Sequence, residues 1–255
     1  MTDQDDTLLA AVLADPDADA PRRAFAAAKD AQGDPWGAFI RMQLDEAAEA
    51  DPDSPRRTML RVRAGEIERV HGASFAAAIA PWVHGYELHR GFVELVTLPA
   101  RAFLDHAPEL FARAPIQHLT LTSLSGAAAE LFASPHLARI RSLDLGQCGL
   151  GDADAERLAG SPHLGALRWL SLALNRVDRD GVEALAASPH LPELRWAGFF
   201  GNPADPGEQY AHDQGFIVES WLPPLGEELE ARHGRLRWLH HEARRTTDLP
   251  PSRYL

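Results

Sequence analysis

Three histidines stand at a fixed interval, with His136, His163 and His190 each 27 residues apart. Imidazoles repeated in this way could converge on a metal ion, since neutral imidazole is a common ligand. Each, however, follows a proline inside the tetrapeptide Ser-Pro-His-Leu, which begins at Ser134, Ser161 and Ser188. No carboxylate keeps a fixed spacing to the three, and Cys148 is the single cysteine, so the orienting partners that a metal site needs are missing. The histidines are therefore read as packing residues of a helix-to-strand turn, with their side chains bonding to the next turn. No metal or other cofactor is expected. His240-His241 is read likewise, as a surface or cap feature.

Other reactive types give no stronger pattern. Ser142 beside Asp144, or His118 beside Thr120, are neighbours that any polar sheet face offers. The chain has no phosphate-binding glycine loop, His-Glu-x-x-His, Gly-x-Ser-x-Gly or Cys-x-x-Cys, the local patterns that mark several hydrolase, nucleotide and redox sites. No catalytic residue is assigned and the chain is not read as an enzyme. Cys148 shares its repeat position with Asn175 and Asn202. A small buried side chain there can satisfy backbone groups leaving a strand, so Cys148 is read as structural.

The interval itself decides the architecture of this part of the chain. A period of 27 residues signals a solenoid, and behind each tetrapeptide runs the apolar pattern of a leucine-rich repeat. It reads Ile140, Leu143, Leu145, Cys148, Leu150, then Leu167, Leu170, Leu172, Asn175, Val177, and in a degraded third copy Leu194, Ala197, Phe199, Asn202, Ala204. Residues alternating with the inward leucines face outward on a concave sheet. They are His118, Thr120 and Thr122, then Ser142, Asp144 and Gly146, then Trp169, Ser171 and Ala173, then Trp196, Gly198 and Phe200. Trp169 and Trp196 should stack on adjacent strands about 4.8 Å apart, with Phe200 on the same face and Trp238 extending the row. Exposed aromatic area of this kind suits an interaction hot spot. The competing reading is that residues 201–224 fold back over the rings.

Flanking segments supply the rest of the fold. Residues 7–80 read as four short helices: one capped at Asp6 or Thr7, one ending at Gly33, one opened by Asp34-Pro35, and one opened by Ser54-Pro55 with Gly72 beyond its end. In the last of these Leu60, Val62, Ile67 and Val70 are its apolar residues. A strand over Phe92–Leu98 and a helix through Phe103 and Leu110 follow. The unit around Leu119 is irregular, because Leu143 follows it after 24 residues and Leu124 takes the place of the turn Asn or Cys. Such irregular terminal units are what capping of a solenoid requires. Residues 201–224 read as a loop or insertion. Pro223-Pro224 open a last helix ending at Gly234, and Leu236-Arg237-Trp238-Leu239 read as a final strand.

The formal net charge of −12 argues against nucleic-acid or anionic-membrane binding, both of which need a basic face. An acidic start and the lack of a long apolar stretch lead to a cytoplasmic expectation.

Two passages carry a resemblance. Leu8-Leu-Ala-Ala-Val-Leu-Ala-Asp-Pro-Asp-Ala-Asp-Ala-Pro-Arg-Arg, continued by Gly33-Asp-Pro-Trp-Gly-Ala-Phe-Ile-Arg-Met-Gln43, resembles the bacterial repeat-companion domain that precedes leucine-rich repeats. The stretch Phe25-Ala-Ala-Ala-Lys-Asp departs from the aromatic, Asp and Trp pattern usual in its middle. The repeats are similar to the ribonuclease-inhibitor class. The resemblance implies an α/β chain in two parts. Residues 1–80 form an all-helical companion domain. Residues 81–255 form a short leucine-rich-repeat solenoid with parallel strands on the concave side, helices on the convex side, regular repeats at 134–204 and a C-terminal cap.

The function expected is a non-catalytic scaffold holding a protein or peptide on the concave face through Trp169, Trp196, Phe200, Asp144, Ser171, Thr120 and His118. The alternative is an accessory or activator subunit that inserts Arg168 or Arg195 into a partner enzyme. The chain is expected to be a monomer or weak homodimer, with self-association through a solenoid end or the aromatic patch as a third possibility.

Overall fold

The computed structural model describes residues 2–213 and 216–240. The chain divides into two compact units, residues 1–96 with 106–116, and residues 97–105 with 117–255. Strands β1 (Gly85–His89), β2 (Phe92–Leu98), β3 (His118–Leu121), β4 (Ser142–Asp144), β5 (Trp169–Ser171) and β6 (Trp196–Gly198) hydrogen-bond in that order as one mostly parallel sheet. The chain is thus mixed α/β, with a helical N-terminal region.

The first unit is built on four helices, α1 (Asp3–Ala14), α2 (Asp19–Ala31), α3 (Pro35–Ala48) and α4 (Pro55–Phe75). The expected cap of α1 at Asp6 or Thr7 is corrected. Thr2 caps it instead, because the Thr2 hydroxyl accepts from the Asp5 amide while the Asp5 carboxylate accepts from the Thr2 amide, a reciprocal pair of bonds that satisfies two orphan donors. Asp34 and Ser54 cap α3 and α4 as expected. The expected stop at Gly72 is also corrected. The helix continues to Phe75, and a Cβ on Gly72 would stand 3.1 Å from Glu68 Cγ and 3.6 Å from Leu88 Cδ1, so glycine there serves close packing. Val62 and Val70 are exposed rather than core.

The core of this unit gathers Leu9, Val12, Phe25, Ile40, Leu44 and Phe92, with Trp36 packed against it. Strands β1 and β2 meet at Arg90-Gly91, both at positive φ, the two-residue turn that suits strand twist. Gly91 has no substitute here, since a Cβ would sit 2.2 Å from Ile40 Cγ1. Its carbonyl accepts from Trp36 Nε1 at 2.7 Å.

Two buried ion pairs tie α2 to β2 and to α1. Arg22, fully buried, lies 2.5 Å from Glu94 and donates to the carbonyls of Pro16, His89 and Arg90. Lys29, the only lysine of the chain, donates to Asp5 at 3.0 Å, and Gln32 donates to the other Asp5 oxygen at 3.0 Å. Breaking a pair of this kind strands a buried charge.

In the second unit each short strand leads to a helix: β3 to α6 (Ala128–Phe132), β4 to α7 (Asp152–Ala159) and β5 to α8 (Arg179–Ala186). Helix α5 (Ala100–Arg113) follows β2. Leu119 and Leu121, Leu143 and Leu145, Leu170 and Leu172, Ala197 and Phe199 are all buried on one side of the sheet. Opposite them α7 buries Ala155, Leu158 and Ala159, and α8 buries Val182, Leu185 and Ala186.

Beyond β6 the sequence reading needs two corrections. Part of residues 201–224 forms an antiparallel pair, β7 (Gln209–Asp213) and β8 (Phe216–Trp221), in a separate two-stranded sheet. The run Phe216-Ile-Val-Glu-Ser-Trp carried that signal in its β-branched and aromatic residues. Leu236–Leu239 is not a strand: Arg237–His240 is a 3₁₀ turn, closed by Leu239 N–H donating to Leu236 O. Helix α9 (Pro224–His233) lies beside α8, joined by Arg179–Glu228, Arg232–Glu183 and His233–Glu183 pairs. No helix among the described residues is long and apolar enough to cross a membrane.

The Asp5 carboxyl is held well below the usual carboxylate range, first by the Thr2 amide and then by the Gln32 and Lys29 side chains. A depressed carboxylate contributes stability above its unfolded value, about 4, and loses that contribution as pH falls below it. Urea unfolding between pH 7 and pH 2 is therefore expected to show steep destabilisation below about pH 4 in the wild type. Asp5→Asn should be weaker by about 1–3 kcal/mol at pH 7 and lose less on acidification; parallel acid slopes would exclude this role for Asp5.

Candidate functional site

The outward sheet face of the second unit exists because successive strands are stitched at both ends. At the exits, Asn175 Nδ2 donates to Leu145 O and Leu172 O, each at 2.9 Å, and its Oδ1 accepts from Leu150 N. Asn202 repeats the pattern 27 residues on, donating to Leu172 O and Phe199 O and accepting from Val177 N. Cys148 Sγ stands in the same place and donates to Leu121 O at 3.1 Å. Burial pushes its thiol up to about 11, with the Asp144 charge adding to the effect. Cys148 is half-buried rather than buried as expected, and its structural reading rests on the bond to Leu121 O.

At the strand entries the tetrapeptides act differently from expectation. Ser161 Oγ donates to Phe132 O at 2.6 Å, and Ser188 Oγ donates to Ala159 O at 2.5 Å, each reaching back one unit. The His163 and His190 main-chain N–H groups donate to those serine oxygens. At these two positions the stitching residue is the serine, with histidine contributing its backbone. Among the described residues no group of three or more His, Cys, Asp or Glu could hold a metal ion.

Between the two seams the register is set. His118, Ser142, Trp169 and Trp196 are partners across β3 to β6, and Thr120, Asp144, Ser171 and Gly198 form the next row. Six of the seven expected site residues therefore share one face. The two indoles stack with centroids 4.5 Å apart and planes within 3°, close to the strand spacing. The Trp196 ring reaches over residue 198 because that residue is glycine; a Cβ there would stand 2.2 Å from Trp196 Cη2. His118 Nδ1 and Ser142 Oγ are 2.8 Å apart, and Asp144 Oδ1 accepts from Gly146 N at 2.9 Å.

Burial redistributes the expected roles. Trp169 is only 1 % exposed, while Trp196 is half-buried and Phe200 is 73 % exposed. Trp169 thus offers no open surface and backs the Trp196 ring from the neighbouring strand. His118 and Ser171 are buried as well, leaving Thr120 and Asp144 as the half-buried members of the polar row. Phe200 sits in the turn after β6, beside Leu174, whose N–H donates to Phe200 O at 2.7 Å. Trp238 does not extend the indole row. Its ring is 5.9 Å from that of Phe199, which is buried on the inward side. Sequence reasoning also passed over Arg141, whose signal was its identity with Arg168 and Arg195 at intervals of 27 residues.

No protein-family model matches the chain, nor does any curated protein or solved structure. The functional reading rests on these residues and their geometry.

Two outcomes follow from the stitching. Asn175→Ala orphans buried carbonyls and an amide together and should cost about 2–4 kcal/mol in denaturant unfolding, against about 1 kcal/mol for Cys148→Ala. Equal costs would show that the asparagine bonds carry no special weight. The native Cys148 thiol should react with a disulfide reagent at pH 8 far more slowly than after unfolding, since little thiolate is present; equal rates would contradict the raised thiol.

Proposed function

We propose that the second unit is a short leucine-rich-repeat solenoid of a cytoplasmic, non-catalytic scaffold, preceded by a repeat-companion domain, and that its outward sheet face holds a protein or peptide. The observation that carries this reading is the in-register pair of rows, with the half-buried Trp196 indole reaching over Gly198 and stacked on a fully buried Trp169. A rigid aromatic surface fixed by the backbone below it loses little entropy when covered, which is the character of a binding hot spot. Phe200 and Leu174 extend apolar area at the strand exits, being 73 % and 48 % exposed. Thr120 and Asp144 supply polar groups further across the same face.

The alternative, an activator that inserts Arg168 or Arg195 into a partner's active site, finds less support. Such a residue must project and reach, whereas both arginines are half-buried at strand entries and Arg195 lies 3.7 Å from Glu193.

Replacing Trp196 and Phe200 by serine should weaken binding of a partner captured by the wild type by about 2 kcal/mol or more, roughly thirtyfold in Kd, with little change in melting temperature. Trp169→Ala should instead destabilise the fold by about 3–5 kcal/mol. A well-folded Trp196→Ser, Phe200→Ser variant that binds as tightly as wild type would move the site off this face.

A further inference from the structure

The outward face of the second unit is more buried than an open sheet face can be. Its first row is His118, Ser142, Trp169 and Trp196, and the first three are only 9 %, 3 % and 1 % exposed. In the second row Ser171 is buried, while Thr120, Asp144 and Gly198 are half-buried. In the third, Gly146 and Ala173 are half-buried, and Thr122 and Phe200 are exposed. The geometry places these side chains on the outward side. A Cβ on Gly198 would meet the Trp196 ring, and one on Gly146 would lie 3.1 Å from Asp144 Oδ1 and 3.8 Å from Ser171 Oγ. Burial therefore falls from the first row to the third.

Neighbours within the sheet are too small to produce this. Trp196 stacks on one face of Trp169, but across the register Trp169 otherwise meets Ser142, and the row beside it holds Asp144, Ser171 and Gly198. A second face and an edge of the indole still need a cover. His118, Asp144, Trp169 and Trp196 all make further contacts, as covered groups do. Two segments after β6 could supply the cover. The β7–β8 strands pair with each other and leave Trp221 46 % exposed, so the tryptophan of that hairpin is not in a covered layer. The other segment is residues 241–255, outside the described residues, which leave the 3₁₀ turn Arg237–His240. That turn adjoins β6, with Trp238 packed on Phe199 and Leu239 fully buried. From there fifteen residues can reach about 50 Å when extended, whereas β6 to β3 spans about 14 Å.

The composition of residues 241–255 suits an aromatic floor. Pro250 and Pro251 favour the polyproline II conformation, which docks on aromatic-lined surfaces at low entropic cost, and Leu249 and Tyr254 add apolar area beside them. Arg244, Arg245 and Arg253 outnumber Glu242 and Asp248, the reverse of the balance in a chain of net charge −12, and Asp144 is the acidic group on the face.

We infer that residues 241–255 lie over the first row of this face, with Pro250 and Pro251 against the stacked indoles, and that a partner binds by displacing them. The partner segment is then of the same chemistry, extended and proline-containing. This rests on the reading of the face as a peptide-binding surface. Phe200 and Leu174, beyond the covered row, stay open for first contact.

The test uses the full chain carrying a benzophenone amino acid in place of Ser252, next to the proline pair. After illumination, cross-links within one chain to residues 142–144, 169–171 or 196–198 are expected in the mass spectra of the digest. Cross-links confined to residues 209–221, to α7 or α8, or to residues 3–75 would overturn the inference. So would none at all, or a product of dimer size, which would make the occupant a second copy. The second arm measures binding of a labelled synthetic peptide of residues 241–255. Pro250→Ser with Pro251→Ser in the full chain, checked by thermal unfolding, should bind it at least about tenfold more tightly than wild type, whose face is then open for about a tenth of the time or less. Adding Trp196→Ser to that variant should abolish binding. Equal affinity for wild type and the proline variant would overturn self-occupancy. A captured partner that Trp196→Ser with Phe200→Ser releases, in a chain whose cross-links miss the face, would leave the binding surface standing and the occupant wrong. A partner indifferent to those two substitutions would remove the binding surface itself, and the displacement with it.

Discussion

The constraint on which the second unit depends is the saturation of main-chain groups where strands of only three or four residues end. Such strands bond for a few residues and then turn, leaving carbonyls and amides that must find partners against a largely apolar core. Asn175 and Asn202 answer this with one side chain each, closing groups of their own unit and of the one before. Ser161 and Ser188 do the same for the last carbonyls of α6 and α7, Phe132 O and Ala159 O. With both ends pinned, β4, β5 and β6 hold a single register, and the outward side chains fall into rows. The stacked indoles are a consequence of that pinning, since a slip of one residue would turn their row into the core.

The same economy recurs in the first unit, where charge rather than repetition closes the contacts. Arg22 satisfies three carbonyls and Glu94 from a fully buried position, and Lys29 gathers Asp5 and Gln32. Buried pairs of this kind specify an arrangement more than they stabilise it. They leave the apolar contacts of Phe25, Trp36 and Phe92 to supply the driving force.

How much of this was legible in the sequence depended on whether the signal was periodic. The 27-residue interval gave the strands, their register, the inward leucines and the role of Cys148, because each copy restates the same backbone problem. The helix caps at Asp34 and Ser54 were readable from local chemistry, while the cap at Thr2 lay before the first apolar residue and carried no periodic cue. The last segment misled for a physical reason. Leu236-Arg237-Trp238-Leu239 has the composition of the strand entries at Leu167 and Leu194 but closes on itself by an i to i+3 bond while Trp238 packs on Phe199. Face membership of the site residues was legible; their exposure was not, because alternation says which way a side chain points and nothing about what covers it. Trp169 and Trp196 share a row and differ in burial for that reason.

Hydrogen exchange of the full chain, read with and without a bound partner, tests the central claim most directly. Slowed exchange confined to the amides of residues 142–146, 169–173 and 196–201 would place the ligand on the outward sheet face. Protection centred on α7 and α8, or on residues 3–75, with the strand amides unchanged, would contradict it.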